Sequence, residues 1–358
     1  MISSIELNNF RGFSHLKMDN VTPITLISGM NNVGKSSVLD GLFLFFDHID
    51  ADSFIKLNRF RGLLSVYEPR VLWEPIFHNL NTQNIVQITL HLPKGKATLS
   101  YMPDDSFVVP KDVDIPINVL NQFISSTQSS YTLKFQYSYG DYWESGHFIA
   151  NPSSGLLRNL DTSLEGNGIQ PMSHTQFINN FIIIQTNGDV TSLLGNLELT
   201  NKKGELIEIL KLIDPSISDI ITIVTSSGAQ IYFKMNGKML PSKLAGDGLN
   251  KLMFIILSIM TNPNSLFLID EIETGIHYSV YPDLWKVIAV AVQKYNCQVI
   301  ATTHSYECIV GAVKGLESAD LLNQFCYFRI DRHENDVTAY RYSDVLLRTA
   351  IDSGLEVR

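Results

Sequence analysis

The sequence predicts an α/β protein with a mixed central sheet, helices on both faces and a β-rich inserted lobe. In the last third, short apolar runs that suit buried strands alternate with amphipathic helical patterns, which is typical of a parallel sheet. Near the N-terminus, an apolar run at residues 24–29 ends in glycine and leads into a helical pattern from Lys35. Between residues 85 and 148 the alternation is mostly that of β-strands.

The remaining elements follow from local patterns in chain order. Alternating Ile2, Ile5 and Leu7 predict a strand at the edge of a sheet. Residues 104–130 and 152–174 are rich in turn-forming residues, and we predict an irregular segment for the first and a loop or lid for the second. Further along, the patterns predict a helix at 205–213, strands at 220–224 and 230–234, a helix after Gly248, a strand at 265–270, a helix from Val280 and a strand at 297–304.

A chain of 358 residues can hold one large α/β domain with an insertion, or two domains. We predict that residues 1–84 and 244–358 are two parts of one core, and that residues 85–243 are a β-rich and helical inserted lobe. No heptad pattern is sustained between the core parts and no internal repeat is apparent, so long coiled-coil arms are not expected.

Composition narrows the class of protein. The hydrophobic fraction of 45% and charged fraction of 18% are those of an ordinary globular protein. No run approaches the ~20 apolar residues that a membrane span needs, and the N-terminus lacks the layout of a signal peptide. The three cysteines are far apart and form no CxxC pair, so reduced thiols are expected. We therefore expect a cytoplasmic protein without a membrane partner.

The formal net charge of −9 argues against a surface built for indiscriminate binding to phosphate backbones. The densest basic stretch holds Lys56, Arg59, Arg61 and Arg70. Such a stretch is more often a solvated face than a local groove for nucleic acid.

A phosphate-binding loop is the most specific motif in the chain. Residues 29–36 read GMNNVGKS and fit the pattern GxxxxGK[ST], between an apolar strand and an amphipathic helix. Glycines let backbone N–H groups wrap a phosphate, and the helix N-terminus adds its positive dipole end. Lys35 is expected to reach the β and γ phosphates, and the Ser36 hydroxyl to bind Mg²⁺. The predicted nucleotide-binding residues of this loop are Gly29, Asn31, Asn32, Val33, Gly34, Lys35, Ser36 and Ser37.

Two later strands end in residues that suit phosphate chemistry. The apolar run at 265–269 is followed by Asp270, placed to hold Mg²⁺, and by Glu271, placed to orient or deprotonate an attacking water. The run at 299–303 is followed by His304, which in a sheet of this kind can contact the γ-phosphate and the water.

The order of these elements resembles that of ABC-type P-loop ATPases, in particular the RecF/SMC/OLD-like branch of the AAA family. The motifs that carry the resemblance are IELNNFRGF, GMNNVGKSS, DEIETGIHYSVYPDLW and QVIATTHS, and it covers residues 1–46 and 244–305. The resemblance implies an ABC-type ATPase head that uses ATP and Mg²⁺.

The resemblance also implies that two copies pair head to tail. The glycine-rich signature turn of one head then contacts the γ-phosphate held by the other, and the matching residues here are Gly246, Asp247 and Gly248. Ala245 stands where the family often has a serine, so one phosphate hydrogen bond is absent and slow hydrolysis is expected.

Further positions carry over from the family. Residues 273–277 occupy the place of the D-loop, which crosses the dimer interface. Arg11 lies where relatives often place a basic residue near the nucleotide. Gln83 and Gln87 are both candidates for the glutamine that links the phosphate-loop lobe to the insertion.

The lack of an apparent nuclease motif bears on the biological role of the protein, for which we consider three interpretations. OLD-type proteins continue into a TOPRIM nuclease, and no such acidic metal cluster is apparent here, so we expect any nuclease on a separate chain. The main interpretation is an ATP-driven dimer switch that controls an effector, such as a nuclease or toxin in bacterial anti-phage defence. A RecF-like DNA clamp, with Arg59, Arg61 and Arg70 as contacts, is the alternative. A scaffold that binds ATP without turnover is less favoured, because Asp270, Glu271 and His304 are all present.

Overall fold

The computed structural model describes residues 1–48, 50, 52–63, 69–104, 106, 132–151, 155–163, 175–178, 187–225, 228–334 and 336–358. It divides into two compact units. The first unit comprises Met1–Val21, Asn31–Pro171 and Ile330–Tyr340, and the second unit comprises Thr22–Met30, Met172–Arg329 and Arg341–Arg358. Both units are built from separated stretches of chain, and the division at residues 84 and 243 stays a prediction.

A seven-stranded antiparallel sheet forms the body of the first unit. Its strands are β1 (Ser4–Phe10), β2 (Phe13–Asp19), β4 (Val86–Leu92), β5 (Gly95–Pro103), β6 (Thr132–Tyr139), β7 (Tyr142–Asn151) and β8 (Gly155–Ser163). The spatial order is β2-β1-β4-β5-β6-β7-β8, and every neighbouring pair is antiparallel. The expected strand content at residues 85–148 is therefore confirmed for the described part of that range.

Two local predictions for this unit were wrong. β1 lies inside the sheet between β2 and β4, so β2 takes the edge that was predicted for β1. Residues 155–163, predicted as a loop or lid, form β8 and pair with β7. Residues 164–174, and most of the predicted irregular segment at 104–130, lie outside the described residues.

The helices of the first unit are α1 (Lys35–Phe46), α2 (Ser53–Phe60) and α3 (Pro69–Leu72). α1 packs closely on β1, since a Cβ added at Gly41 would lie 3.1 Å from the side chain of Leu7. Phe43 of α1 and Phe60 of α2 meet edge to face with ring centroids 4.9 Å apart. The predicted helix from Lys35 is thus confirmed.

A mainly parallel sheet organises the second unit. Its strands are β3 (Ile24–Ser28), β9 (Thr175–Ile178), β13 (Leu266–Ile269), β14 (Gln298–Thr302) and the first part of β15 (Phe325–His333), in the order β15-β3-β14-β13-β9. Most of β16 (Asp336–Tyr342) is counted with the first unit. All pairings from β15 to β9 are parallel. A three-stranded antiparallel sheet follows α-helical segments of this unit: β10 (Ile217–Thr225), β11 (Gly228–Met235) and β12 (Lys238–Pro241).

The helices of the second unit are α4 (Asn187–Leu199), α5 (Lys203–Lys211), α6 (Asp247–Thr261), α7 (Tyr281–Lys294), α8 (Tyr306–Ser318) and α9 (Asp344–Asp352). Short 3₁₀ turns in the two units occur at Glu74–Ile76, His78–Leu80, Ser242–Leu244, Tyr278–Val280 and Leu322–Gln324. α7 and α8 approach closely, because Cβ atoms added at Gly311 and Gly315 would collide with Tyr281 and Pro282. Strand, helix and strand alternate as predicted, and the α/β fold class is confirmed. In the described part of the chain, every helix is too short or too polar to cross a membrane.

Candidate functional site

Three parallel strands bring the predicted motifs to one edge of the sheet. β14 lies between β3 and β13, and the three strands run in the same direction. The chain leaves β3 into the phosphate loop, β13 into Asp270 and β14 into Thr303 and His304. The N–H of Thr303 donates to the carbonyl of Ile27 at 2.9 Å, which carries the pairing of β14 with β3 to the ends of the strands.

The phosphate loop has the backbone shape that its glycines were expected to allow. Gly29, Asn32 and Gly34 have positive φ values of 142°, 62° and 105°. A Cβ at Gly34 would lie 2.5 Å from Cζ of Phe13, so a side chain is excluded there by both backbone and space. α1 begins at the next residue, Lys35, with Gly34 as its N-cap, and the carbonyl of Gly34 accepts from the N–H groups of Ser37 and Val38 at 2.9 and 3.2 Å. This is the local geometry that a helix N-terminus uses to bind phosphate, so the loop fits a nucleotide.

The predicted phosphate-binding residues form one continuous stretch of chain between β3 and the first turn of α1. Lys35 is buried, at 4% exposure, and Ser36 and Ser37 are half-buried. The individual contacts of these residues with a nucleotide stay predictions.

The hydroxyl of Thr302 joins the two acidic residues that follow β13. It donates to Oδ1 of Asp270 at 2.7 Å and accepts from the N–H of Glu271 at 2.9 Å. Thr302 is fully buried, so its rotamer is held by packing. Sequence reasoning missed Thr302, although a hydroxyl residue at the end of the neighbouring strand was a usable signal.

Glu271 has an unusual backbone conformation. Its φ is 49°, in the left-handed region, where a residue with a Cβ costs about 1–3 kcal/mol and must be held by its surroundings. Its side chain is 49% exposed, with Oε1 at 3.8 Å from Nε2 of His304. The carboxylate is therefore accessible to water and adjacent to the predicted histidine, and the structure brings the predicted pair together.

A second carboxylate, Glu273, fixes the position of His304. Its Oε1 accepts from the backbone N–H of His304 at 2.6 Å. Glu273 was predicted only as part of the D-loop segment, and this contact gives it a role within the same chain: it ties the D-loop to the end of β14.

The signature turn packs on the D-loop backbone. Gly246 has a φ of 95° and caps α6, which begins at Asp247, two residues earlier than predicted. A Cβ at Gly248 would lie 2.7 Å from the carbonyl oxygen of Gly275, so this glycine is required by close contact. Gly246 and Asp247 are exposed, which leaves the start of α6 accessible. Their contact with a nucleotide stays a prediction.

Lys251 is a buried cation that the sequence analysis missed. Its side chain is on α6, with 2% exposure, and its ammonium donates to the carbonyl oxygens of Glu271 at 2.6 Å and Thr274 at 3.3 Å. Burial lowers the pKa of Lys251 to about 8, against the opposing effect of nearby carboxylates such as Glu273. A lone lysine in the apolar run at 249–260 was the available signal.

Arg11 has a partner in its own unit. It forms an ion pair with Oδ2 of the fully buried Asp40 at 2.8 Å, and Arg61 contacts the same oxygen at 2.5 Å. Burial lowers the pKa of Arg11, while Asp40 opposes that shift. The predicted roles of Arg11 beside a nucleotide and Arg61 on DNA stay predictions. The side chain of Arg70 is not among the described parts of the structure. The choice between Gln83 and Gln87 as the linking glutamine stays open.

The known proteins that this chain resembles include nucleotide-hydrolysing proteins, in agreement with the predicted phosphate-binding motif. The AAA ATPase domain family matches residues 1–145 and 157–309 of the chain. An ATP/GTP phosphatase of Helicobacter pylori is 24% identical over 365 aligned residues, covering 95% of this chain and 96% of that protein.

Two solved structures share the fold. The crystal structure of an Smc head bound to the C-winged helix domain of ScpA gives a TM-score of 0.53 at 12% identity, covering 96% of this chain and 98% of that one. An Smc head with an extended coiled coil, bound to the C-terminal domain of ScpA derived from Pyrococcus furiosus, gives a TM-score of 0.50 at 10% identity, covering 98% of each chain.

The family match covers more than half of the chain and agrees with the order of motifs along it. The protein is therefore an ATPase that hydrolyses ATP, as the sequence predicted. The chain belongs to the AAA ATPase domain family, and its fold is that of the Smc heads.

Proposed function

We propose that this ATPase is a nucleotide-driven dimer switch that controls an associated effector, a nuclease or toxin in bacterial anti-phage defence. The observation that supports the switch is the chain of contacts at the strand ends. Asp270, Thr302 and Glu271 are joined by hydrogen bonds, and Glu271 lies beside His304. The exposed start of α6 supports the pairing of two copies, because a second copy can reach it.

In the proposed mechanism, the phosphate loop binds ATP through its N–H groups and Lys35. Ser36 and Asp270 hold Mg²⁺, and the oxygen donors of a hydroxyl and a carboxylate suit that ion. When bound, Mg²⁺ neutralises charge on the β and γ phosphates. Glu271 orients the attacking water or accepts its proton, and His304 contacts the γ-phosphate.

Two copies close head to tail around ATP in this proposal. Gly246, Asp247 and Gly248 of one copy contact the γ-phosphate held by the other, with the N-terminus of α6 directed at it. Ala245 supplies no hydroxyl for that contact. Hydrolysis is therefore expected to be slow, which suits a switch that stays closed for long periods.

The association with an effector is supported by the partners of similar folds. Both solved Smc heads are bound to a domain of ScpA, so a head of this fold can dock a separate protein. The DNA-clamp alternative has less support, because Asp40 already pairs with Arg61, one of its three predicted contacts.

Light scattering of Glu271→Gln with and without ATP and Mg²⁺ tests the switch, beside Lys35→Ala as a control that cannot hold nucleotide. We expect the mass to double with ATP only in Glu271→Gln, because that variant binds ATP and keeps only a slow residual hydrolysis. An unchanged mass in both would contradict a shared site. Purification of ATP-bound Glu271→Gln from the native host then tests the effector: a nuclease or toxin that is absent from the Lys35→Ala sample is expected.

A further inference from the structure

Lys251 is a buried charged residue whose ammonium donates hydrogen bonds to backbone carbonyl oxygens. It begins the completely buried stretch of α6 at residues 251–260. The ammonium donates to the carbonyls of Glu271 and Thr274 at 2.6 and 3.3 Å. An ammonium is costly to bury unless it is hydrogen-bonded, and here carbonyl oxygens of the turn after β13 accept from it. A buried charge with a lowered pKa beside the candidate site points to a role in function.

The turn that Lys251 contacts needs external support. Glu271 has a φ of 49°, a conformation that a residue with a side chain adopts only when its neighbours hold it there. Both peptide groups around its Cα are held. The N–H of Glu271 donates to the hydroxyl of Thr302 at 2.9 Å. The carbonyl of Glu271 accepts from Lys251 at 2.6 Å and from the N–H of Thr274 at 3.1 Å. The backbone of Glu271 is thus held by β14 through Thr302 and by α6 through Lys251.

α6 also carries the signature turn at its start. Asp247 precedes Lys251 by one helical turn, and Gly248 lies against the carbonyl of Gly275 in the D-loop. A shift of α6 along its axis would therefore move the ammonium of Lys251 and the backbone that carries the Glu271 carboxylate.

We propose that Lys251 is a positioning residue for ATP hydrolysis, which holds the left-handed turn at Glu271 so that its carboxylate faces the attacking water. It makes the aim of that carboxylate depend on the position of the signature helix. This inference rests on the role of Glu271 in the proposed function.

The test compares Lys251→Met with the wild type in single-turnover ATP hydrolysis and in ATP binding. Methionine keeps the unbranched shape of the side chain up to Cε and removes the ammonium that donates. Because a misplacement of about 1 Å can cost ~10²-fold in rate, we expect the rate of hydrolysis to fall by about 10- to 100-fold. The Kd for ATP is expected to stay within about threefold, since the ammonium of Lys251 donates to the carbonyls of Glu271 and Thr274, which lie outside the phosphate loop. Lys203→Met, which removes an ammonium bound to Glu198 and Asp219, is the matched control and should keep the wild-type rate.

A double-mutant cycle separates positioning from general damage. The hydrogen bond from Lys251 is to the backbone carbonyl of Glu271, which the substitution Glu271→Gln leaves in place. Adding Lys251→Met to Glu271→Gln should cause no further loss of rate, because no carboxylate remains to be aimed. If Lys251→Met does not fold, Lys251→Gln keeps a donor and replaces it in the cycle, with an expected loss of about three- to tenfold.

A Lys251 variant that hydrolyses ATP at the wild-type rate overturns the inference, and so does an equal loss of rate in both backgrounds. If Glu271→Gln itself retains the wild-type rate, the proposed function fails instead, so the two failures are distinguishable.

Discussion

Replacing Thr302 by valine removes one hydroxyl from the site and changes little else. The two side chains have nearly the same shape, and Thr302 is fully buried at the end of β14. Its hydroxyl makes two hydrogen bonds, one to the Asp270 carboxylate at 2.7 Å and one from the N–H of Glu271 at 2.9 Å. Thr302→Val therefore tests whether this single group organises both acidic residues.

The magnitude follows from these two contacts. A hydrogen bond to a charged group contributes about 1.5–3 kcal/mol, and an N–H left without a partner costs about 1–3 kcal/mol. Since the end of the strand can relax and admit water, we expect a net loss of about 2–4 kcal/mol in the free energy of unfolding. The rate of ATP hydrolysis should fall by ~10²-fold, because the N–H of Glu271 loses its hydrogen bond to Thr302.

Thermal unfolding and single-turnover hydrolysis measure the two effects separately. Thr25→Val is the matched control: Thr25 is also fully buried, on the adjacent β3, and its hydroxyl donates to the Thr22 carbonyl at 3.0 Å and contacts Sγ of Cys326 at 3.2 Å. We expect Thr25→Val to lose a comparable amount of stability per hydrogen bond and to keep its rate. Wild-type hydrolysis by Thr302→Val would refute the reasoning, because the hydroxyl would then have no part in placing either carboxylate.

Two further substitutions test the phosphate loop and the buried core of the second unit. Gly34→Ala should weaken ATP binding by at least about tenfold in a calorimetric titration, because its φ of 105° and the 2.5 Å approach to Phe13 leave no room for a Cβ. Tyr327→Phe should lower the free energy of unfolding by about 1–3 kcal/mol with ATP affinity unchanged, because the buried hydroxyl of Tyr327 contacts the Ser28 hydroxyl and donates to the Val357 carbonyl at 2.5 Å. An unchanged ATP Kd for the first, or an unchanged melting temperature for the second, contradicts the corresponding contact.

The motifs were predictable because their chemistry resides in residue type and spacing. GMNNVGKS can be identified without a structure, since glycine, lysine and serine are each required at fixed intervals. Asp270 and His304 were predictable for a related reason: each follows a short apolar run that only a buried strand explains.

The contacts between distant segments were not predictable. β1 was expected at a sheet edge because its alternation resembles that of a half-buried strand, but its second neighbour, β4, begins at Val86, far along the chain. β8 was taken for a loop because its segment is rich in turn-forming residues, and pairing with β7 outweighs that composition. Lys251 was missed because its acceptors are backbone carbonyls, which leave no signature in a sequence.

The contacts around the D-loop connect two parts of the site that the sequence separates. Gly248 lies against Gly275 at the start of α6, and Lys251 holds the carbonyl of Glu271 one turn later. Glu273, between these contacts in sequence, holds the backbone of His304. In the proposed dimer, the signature turn contacts the γ-phosphate bound to the other copy. Closing the dimer would then bring the partner's nucleotide into contact with the start of α6. The same helix, through Lys251, holds the backbone of Glu271, the residue that is proposed to activate water. Hydrolysis would then depend on dimer closure, because α6, which contacts the partner in the proposed dimer, also sets the orientation of the Glu271 carboxylate.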